Sequence, residues 1–147
     1  MPLYLRNGVT TIREMNGSPE HLALRDRLRS GAVTGPTMHV AGTLLAGTKQ
    51  RWRHRLITTP EEARAAVRQQ TDSGYEFIKV YDGLSAESYA AIVEEARIRR
   101  VRVIGHVPAA VELGGVLAAR QAEESRDARR GLGDDGVVGI SESATSC

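Results

Sequence analysis

The sequence predicts an α/β fold built from parallel βα repeats, and three observations carry that prediction. Short β-branched or apolar runs alternate with helical stripes four times between about residues 9 and 122. Most helix starts carry their own capping chemistry. The strands are separated by helices, which implies parallel neighbours joined by right-handed crossovers. Two containers suit such repeats, a doubly wound open sheet and a (β/α)8 barrel of the TIM type. A barrel typically needs ~250 residues, so a chain of 147 residues supplies about half of one.

The elements follow in order. Val9-Thr10-Thr11-Ile12, after the Asn7-Gly8 turn, reads as the first strand, over 9–13. Ser18-Pro19-Glu20 has the form of a helix start, with Leu24 and Leu28 as its apolar stripe and Gly31 as its stop. Met38-His39-Val40-Ala41 is the second strand. Residues 43–57 show no period and read as a long loop, either functional or a solvated insertion. Thr59-Pro60-Glu61-Glu62 is a capping box with proline at the first helical position, and Ala63, Ala66, Val67 and Gln70 share one face of the helix it opens. Ser73-Gly74 ends that helix. Phe77-Ile78-Lys79-Val80-Tyr81 is the third strand, within 76–81. Ser85 caps a helix with Tyr89, Ile92, Val93 and Ala96 as its buried stripe, and Arg97, Arg99 and Arg100 suit its negative end. Val101-Arg102-Val103-Ile104-Gly105-His106 is the fourth strand, and Pro108 opens a last helix through roughly Ala122. Residues 1–122 therefore form one βα domain. From residue 123 a mixed charge run and a Gly- and Ser-rich end predict a poorly ordered or divergent tail, with a short strand at 137–140.

Composition narrows the function. Twenty basic against eighteen acidic residues leave a net charge of +2, too balanced for a nucleic-acid footprint. Six aromatic residues do not make a stacking platform for single strands. No apolar run approaches the ~18 residues of a membrane span, and no signal peptide is recognisable, so the expected compartment is the cytoplasm. The single cysteine, Cys147, excludes an intrachain disulfide and a cysteine metal cluster. Phosphate-loop, dinucleotide-binding and nucleophile-elbow motifs are absent, as are H-x-H and H-E-x-x-H.

Ligands of parallel α/β folds sit at the carboxyl ends of the strands. There the sequence puts Arg13 and Glu14, Lys79 and Asp82, and His106, which are expected to converge on one rim. Lys79 is one of only two lysines, the other being Lys49, in a chain that otherwise uses arginine. A desolvated amine can be a nucleophile. Carboxylated by carbon dioxide, it becomes an anionic oxygen ligand for metals. The plainer reading is a lysine snorkelling at a strand end. His106, between Gly105 and the Pro108 helix start, suits a metal ligand or a general base, or a hydrogen-bonded structural histidine. His39 and His54 are weaker candidates, and His21 is expected to face solvent.

The ordered set Asn7-Gly8-Val9-Thr10-Thr11-Ile12-Arg13-Glu14-Met15, Phe77-Ile78-Lys79-Val80-Tyr81 and Gly105-His106-Val107-Pro108 resembles the amidohydrolase superfamily, in its imidazolonepropionase-like and prolidase-like branch. The resemblance covers roughly residues 3–122. It implies a (β/α)8 barrel with one or two divalent metals, zinc or similar, that activate water against C–N bonds of amides, cyclic amides or dipeptides. It implies that His106 is a metal ligand and Lys79 a carboxylated bridging lysine; beside them Arg13 either orients an anionic group of a small-molecule substrate or makes a rim salt bridge. The family's H-x-H strand has no counterpart here, and no histidine follows His106. The expectation is thus a central fragment whose metal site is incomplete or empty, with an open sheet edge inviting self-association. The alternative is a non-catalytic α/β module that binds a small anion or a partner chain.

Overall fold

The computed structural model describes residues 1–121, so the tail expected from 123 and the strand at 137–140 lie outside the described residues; the last helix, expected through roughly Ala122, ends at Ala118. The element order is α1 (Pro2–Arg6), β1 (Thr11–Glu14), α2 (Pro19–Arg29), β2 (Thr37–Val40), β3 (Leu44–Ala46), β4 (His54–Leu56), α3 (Pro60–Asp72), β5 (Phe77–Val80), α4 (Ala86–Ile98), β6 (Arg102–Gly105) and α5 (Glu112–Ala118). Every strand pairing is parallel.

The strand order decides between the two containers. β1 pairs with β2, β3 pairs with β4 and β5, and β5 pairs with β6. β2 and β3 are two halves of one interrupted strand. Ala41 bridges to Phe77 and Leu45 pairs with Val80, so one extra residue is accommodated between them. The bend sits at Gly42–Thr43, where the Gln70 side chain of α3 donates to the Thr43 carbonyl at 2.7 Å. A Cβ on Gly42 would lie 1.9 Å from Gln70 Oε1, so glycine is what admits the glutamine. Counting β2 and β3 together, consecutive βα units lie side by side, β1, β2/β3, β5 and β6. This is the singly wound order of a partial barrel rather than the reversal of a doubly wound sheet.

Helices cover one face. Leu45, Ile57, Ile78, Val80 and Val103 pack with Ala63, Ala66 and Val67 of α3, Tyr89, Ile92 and Ala96 of α4 and Val116 of α5. Both long helices begin as their sequences predict. The Thr59 hydroxyl accepts from the Glu62 N–H at 3.2 Å, and the Glu62 carboxylate accepts from Thr58 N–H and hydroxyl, both at 2.7 Å, which holds its carboxyl below the usual range. Ser85 accepts from Ser88 N–H at 3.1 Å. Between α3 and α4, the Glu95 carboxylate takes two bonds from Arg68, at 3.0 and 3.1 Å, and a longer one from Arg99.

Four expectations are corrected. The loop at 43–57 contains β3 and β4, because Leu44-Leu45-Ala46 is fully apolar and buried; the Gly42-Thr43 bend hides its continuity with β2. The stripe of α2 is only half buried, and the buried residue of that helix is Arg25, which donates to the Gly74 carbonyl at 2.8 Å. His21 does not simply face solvent: its Nδ1 accepts from Ser18 N–H at 3.2 Å and completes the cap of α2. The last helix begins at Glu112 rather than Pro108, since Pro108 closes a turn in which Val111 N–H donates to its carbonyl at 2.9 Å. A short helix, α1, precedes β1 and buries none of its residues.

Candidate active site

β5 and β6 define the site. Their register pairs Ile78 with Val103, Lys79 with Ile104 and Val80 with Gly105. His106 N–H donates to Val80 O at 3.2 Å, so the ladder continues one residue past β6 and sets His106 level with Tyr81. Strand side chains alternate between faces. Ile78, Val80 and Val103 belong to the helix-packed core, so Lys79, Tyr81, Ile104 and His106 fall on the opposite face, the one that lines the interior of a barrel. Lys79 is 7% exposed and His106 8%. The imidazole packs on the Tyr81 ring, with centroids 4.1 Å apart and planes tilted by 59°.

Gly105 makes the pair possible. Its φ is +129°, and a Cβ there would lie 2.1 Å from Val80 O and 3.1 Å from Lys79 Cδ. The lysine stem therefore runs across the α-carbon beside His106. Gln121 covers the same corner, donating to Gly105 O at 2.9 Å and accepting from the Tyr89 hydroxyl at 3.0 Å.

The carboxyl-end loops meet nearby. Gly47 N–H donates to Asp82 O at 3.1 Å, and a Cβ on Gly47 would lie 1.8 Å from Gly83 O, so the loops after β3 and β5 are in backbone contact. Asn16, after β1, accepts from Leu44 N–H at 3.1 Å and donates to Arg53 O at 2.9 Å, tying the basic loop to the sheet. Sequence reasoning passed over Tyr81 and Asn16. Tyr81 is visible in the sequence only as the last residue of an apolar strand, and no motif singles out Asn16.

The rim does not gather every candidate. Arg13 pairs with His39, two residues before the level of Phe77, and its guanidinium lies 5.5 Å from the Phe77 ring centroid. It therefore stands toward the amino-terminal start of β5, several residues short of His106. Glu14 accepts from Asn16 N–H at 3.0 Å. His39 Nδ1 lies 3.2 Å from Glu76, and His54 staples its loop through Trp52 O at 2.9 Å.

The donor set tests the metal that the resemblance implies. Among the described residues no group of three or more His, Cys, Asp or Glu side chains could hold an ion. Lys79 and His106 offer two donors at most, where a catalytic zinc typically keeps about three protein ligands. Residues 1–121 by themselves do not fit a metal centre.

No protein-family description and no curated protein matches the chain. Solved structures do. The fold superposes on the bottromycin amidohydrolase AH with a TM-score of 0.74 and 27% identity, over 79% of this chain and 26% of that one. It superposes on a putative prolidase from Bifidobacterium longum with a TM-score of 0.65 and 32% identity, over 78% and 31%. Molinate hydrolase, at 22% identity and a TM-score of 0.59 over 80% and 34%, shares the fold. This chain is similar in fold and in sequence to part of an amidohydrolase, and its parallel βα units are a partial (β/α)8 arrangement. It spans about a quarter to a third of the length of the structures it matches. No helix among the described residues is long and apolar enough to cross a membrane.

Proposed function

We propose that this chain is part of a hydrolase for C–N bonds of small molecules, amides, cyclic amides or dipeptides, and that residues 1–121 supply one wall of its site rather than a working catalytic set. The observation that carries the reading is the β5–β6 register, which sets buried Lys79 and His106 on one face at the carboxyl ends of adjacent strands; the likeness of the fold to hydrolase structures supports it. In this reading both side chains face the substrate, and the Tyr81 ring fixes the imidazole plane. Arg13, lower on the sheet over Phe77, has no part in it. A divalent metal, zinc or similar, belongs to the reading only where donors beyond residues 1–121 complete its shell.

The test is hydrolysis of N-acyl amino acids, dipeptides and cyclic amides with added zinc or manganese. The chain alone is expected to show no turnover above buffer. Turnover that disappears in His106→Ala would establish a working enzyme and overturn the incompleteness half of the proposal. Metal analysis of purified protein adds a second readout, with less than one equivalent of divalent ion expected.

A further inference from the structure

We infer that the cleft at the amino-terminal end of the sheet is a binding site for a small phosphate-type oxyanion, separate from the Lys79–His106 wall. The cleft encloses about 280 Å³, and Arg25, Arg29, Pro36, Thr37 and His39 are among its lining residues. Thr37 is the first residue of β2, so the cleft opens at the end of the strands opposite His106.

Its charges are of two kinds, fixed and available. Arg25, with 11% of its side chain exposed, is built into the scaffold through Gly74 O at 2.8 Å and Asp26 Oδ1 at 3.0 Å. Glu76 is built in as well: its Oε2 accepts from Val40 N–H at 2.8 Å and lies 3.8 Å from Arg25. Its Oε1 lies 3.2 Å from His39 Nδ1 and 3.6 Å from Arg29. Arg29 is the available cation. Its side chain is 65% exposed, and its ion pair with Glu76 is longer than a hydrogen bond, so its planar set of donors is not committed.

Two arginines face two carboxylates here, and Asp26 is taken up by Arg25. Among the described residues, the competitor for an incoming anion is Glu76. Glu76 already meets His39 and Arg29 through Oε1; a phosphate oxyanion has more acceptor sites than a carboxylate, and the cleft offers it Thr37 as a further donor beside Arg29. The site is therefore one in which a ligand anion displaces Arg29 from Glu76.

Inorganic phosphate titrated into the full chain at constant ionic strength, read by calorimetry, tests this. Saturable one-to-one binding is expected, weakened about tenfold by Arg29→Ala, in keeping with the loss of a charge-assisted hydrogen bond. Glu76→Gln keeps an oxygen acceptor for Val40 N–H while removing the competing charge, and is expected to tighten binding. Arg51→Ala, in the basic loop, is expected to leave it unchanged. An unchanged melting temperature in Arg29→Ala establishes that the variant is folded. Absence of saturable binding, or equal weakening by Arg29→Ala and Arg51→Ala, overturns the assignment.

Discussion

Gly105 carries two constraints at once, a backbone conformation that side chains rarely adopt and a contact with the Lys79 stem. Gly105→Ala adds strain of roughly 1–3 kcal/mol at that φ, and a clash with a backbone oxygen that no rotamer can relieve. Chemical denaturation is expected to show a loss of at least about 2 kcal/mol, with Lys79 displaced from His106. Glu95 carries a constraint of a different kind. Arg68, through its hydrogen bonds, and then Arg99 hold its carboxyl below the usual range. A depressed carboxyl stabilises the fold above its unfolded value, about 4.3, and that contribution disappears as pH falls through the folded value. Thermal unfolding across pH 7 to 2 is expected to show this loss below about pH 4.3. Glu95→Gln is expected to melt lower at neutral pH and to show a shallower acid limb.

At the scale of elements, the helices with complete caps are those whose starts the sequence shows most clearly. Thr59, Pro60 and Glu62 need only each other and Thr58, so the start of α3 was legible without any tertiary information. Thr59→Ala is expected to cost about 1 kcal/mol, read by denaturant midpoint, because it frees the Glu62 N–H. β3 and β4 were not legible, for they are three residues each and take their extended form from neighbours. Leu45 is held by Val80 and Arg55 on either side, and the join to β2 is made by Gln70 of α3, 27 residues along the chain from Thr43. The start of α5 was misplaced for a related reason. Proline favours a helix start only where the following residues continue the helix, and here they close a turn.

At the scale of the whole molecule, the far edge of β6 governs association. Among the described residues β6 pairs only with β5. In a parallel ladder alternate residues turn their N–H and C=O outward, and with His106 N–H bonded to β5, Val103 is one that faces the edge. An edge of this kind is a template for another strand. Sedimentation is therefore expected to show self-association that strengthens with concentration, and a single monomeric species over the full range would remove that expectation.

The sequence by itself determined the alternation of strands and helices, the capped starts of α2, α3 and α4, and the candidacy of Lys79 and His106. Each of these depends on residues within a few positions of one another, and local sterics and hydrogen bonding act at that range. Only the tertiary structure decided the singly wound strand order, because pairing joins residues such as Leu45 and Val80 that no local signal connects. It also decided which candidates meet. Lys79 and His106 share a face because β5 and β6 pair in a register that hydrophobic alternation fixes to within two residues. Arg13 carries the same charge at an equally suggestive strand end, yet register with β2 leaves it over Phe77, near the start of β5. The stagger between neighbouring strands, invisible in a linear sequence, is the physical reason that one strand end reaches the rim and another does not.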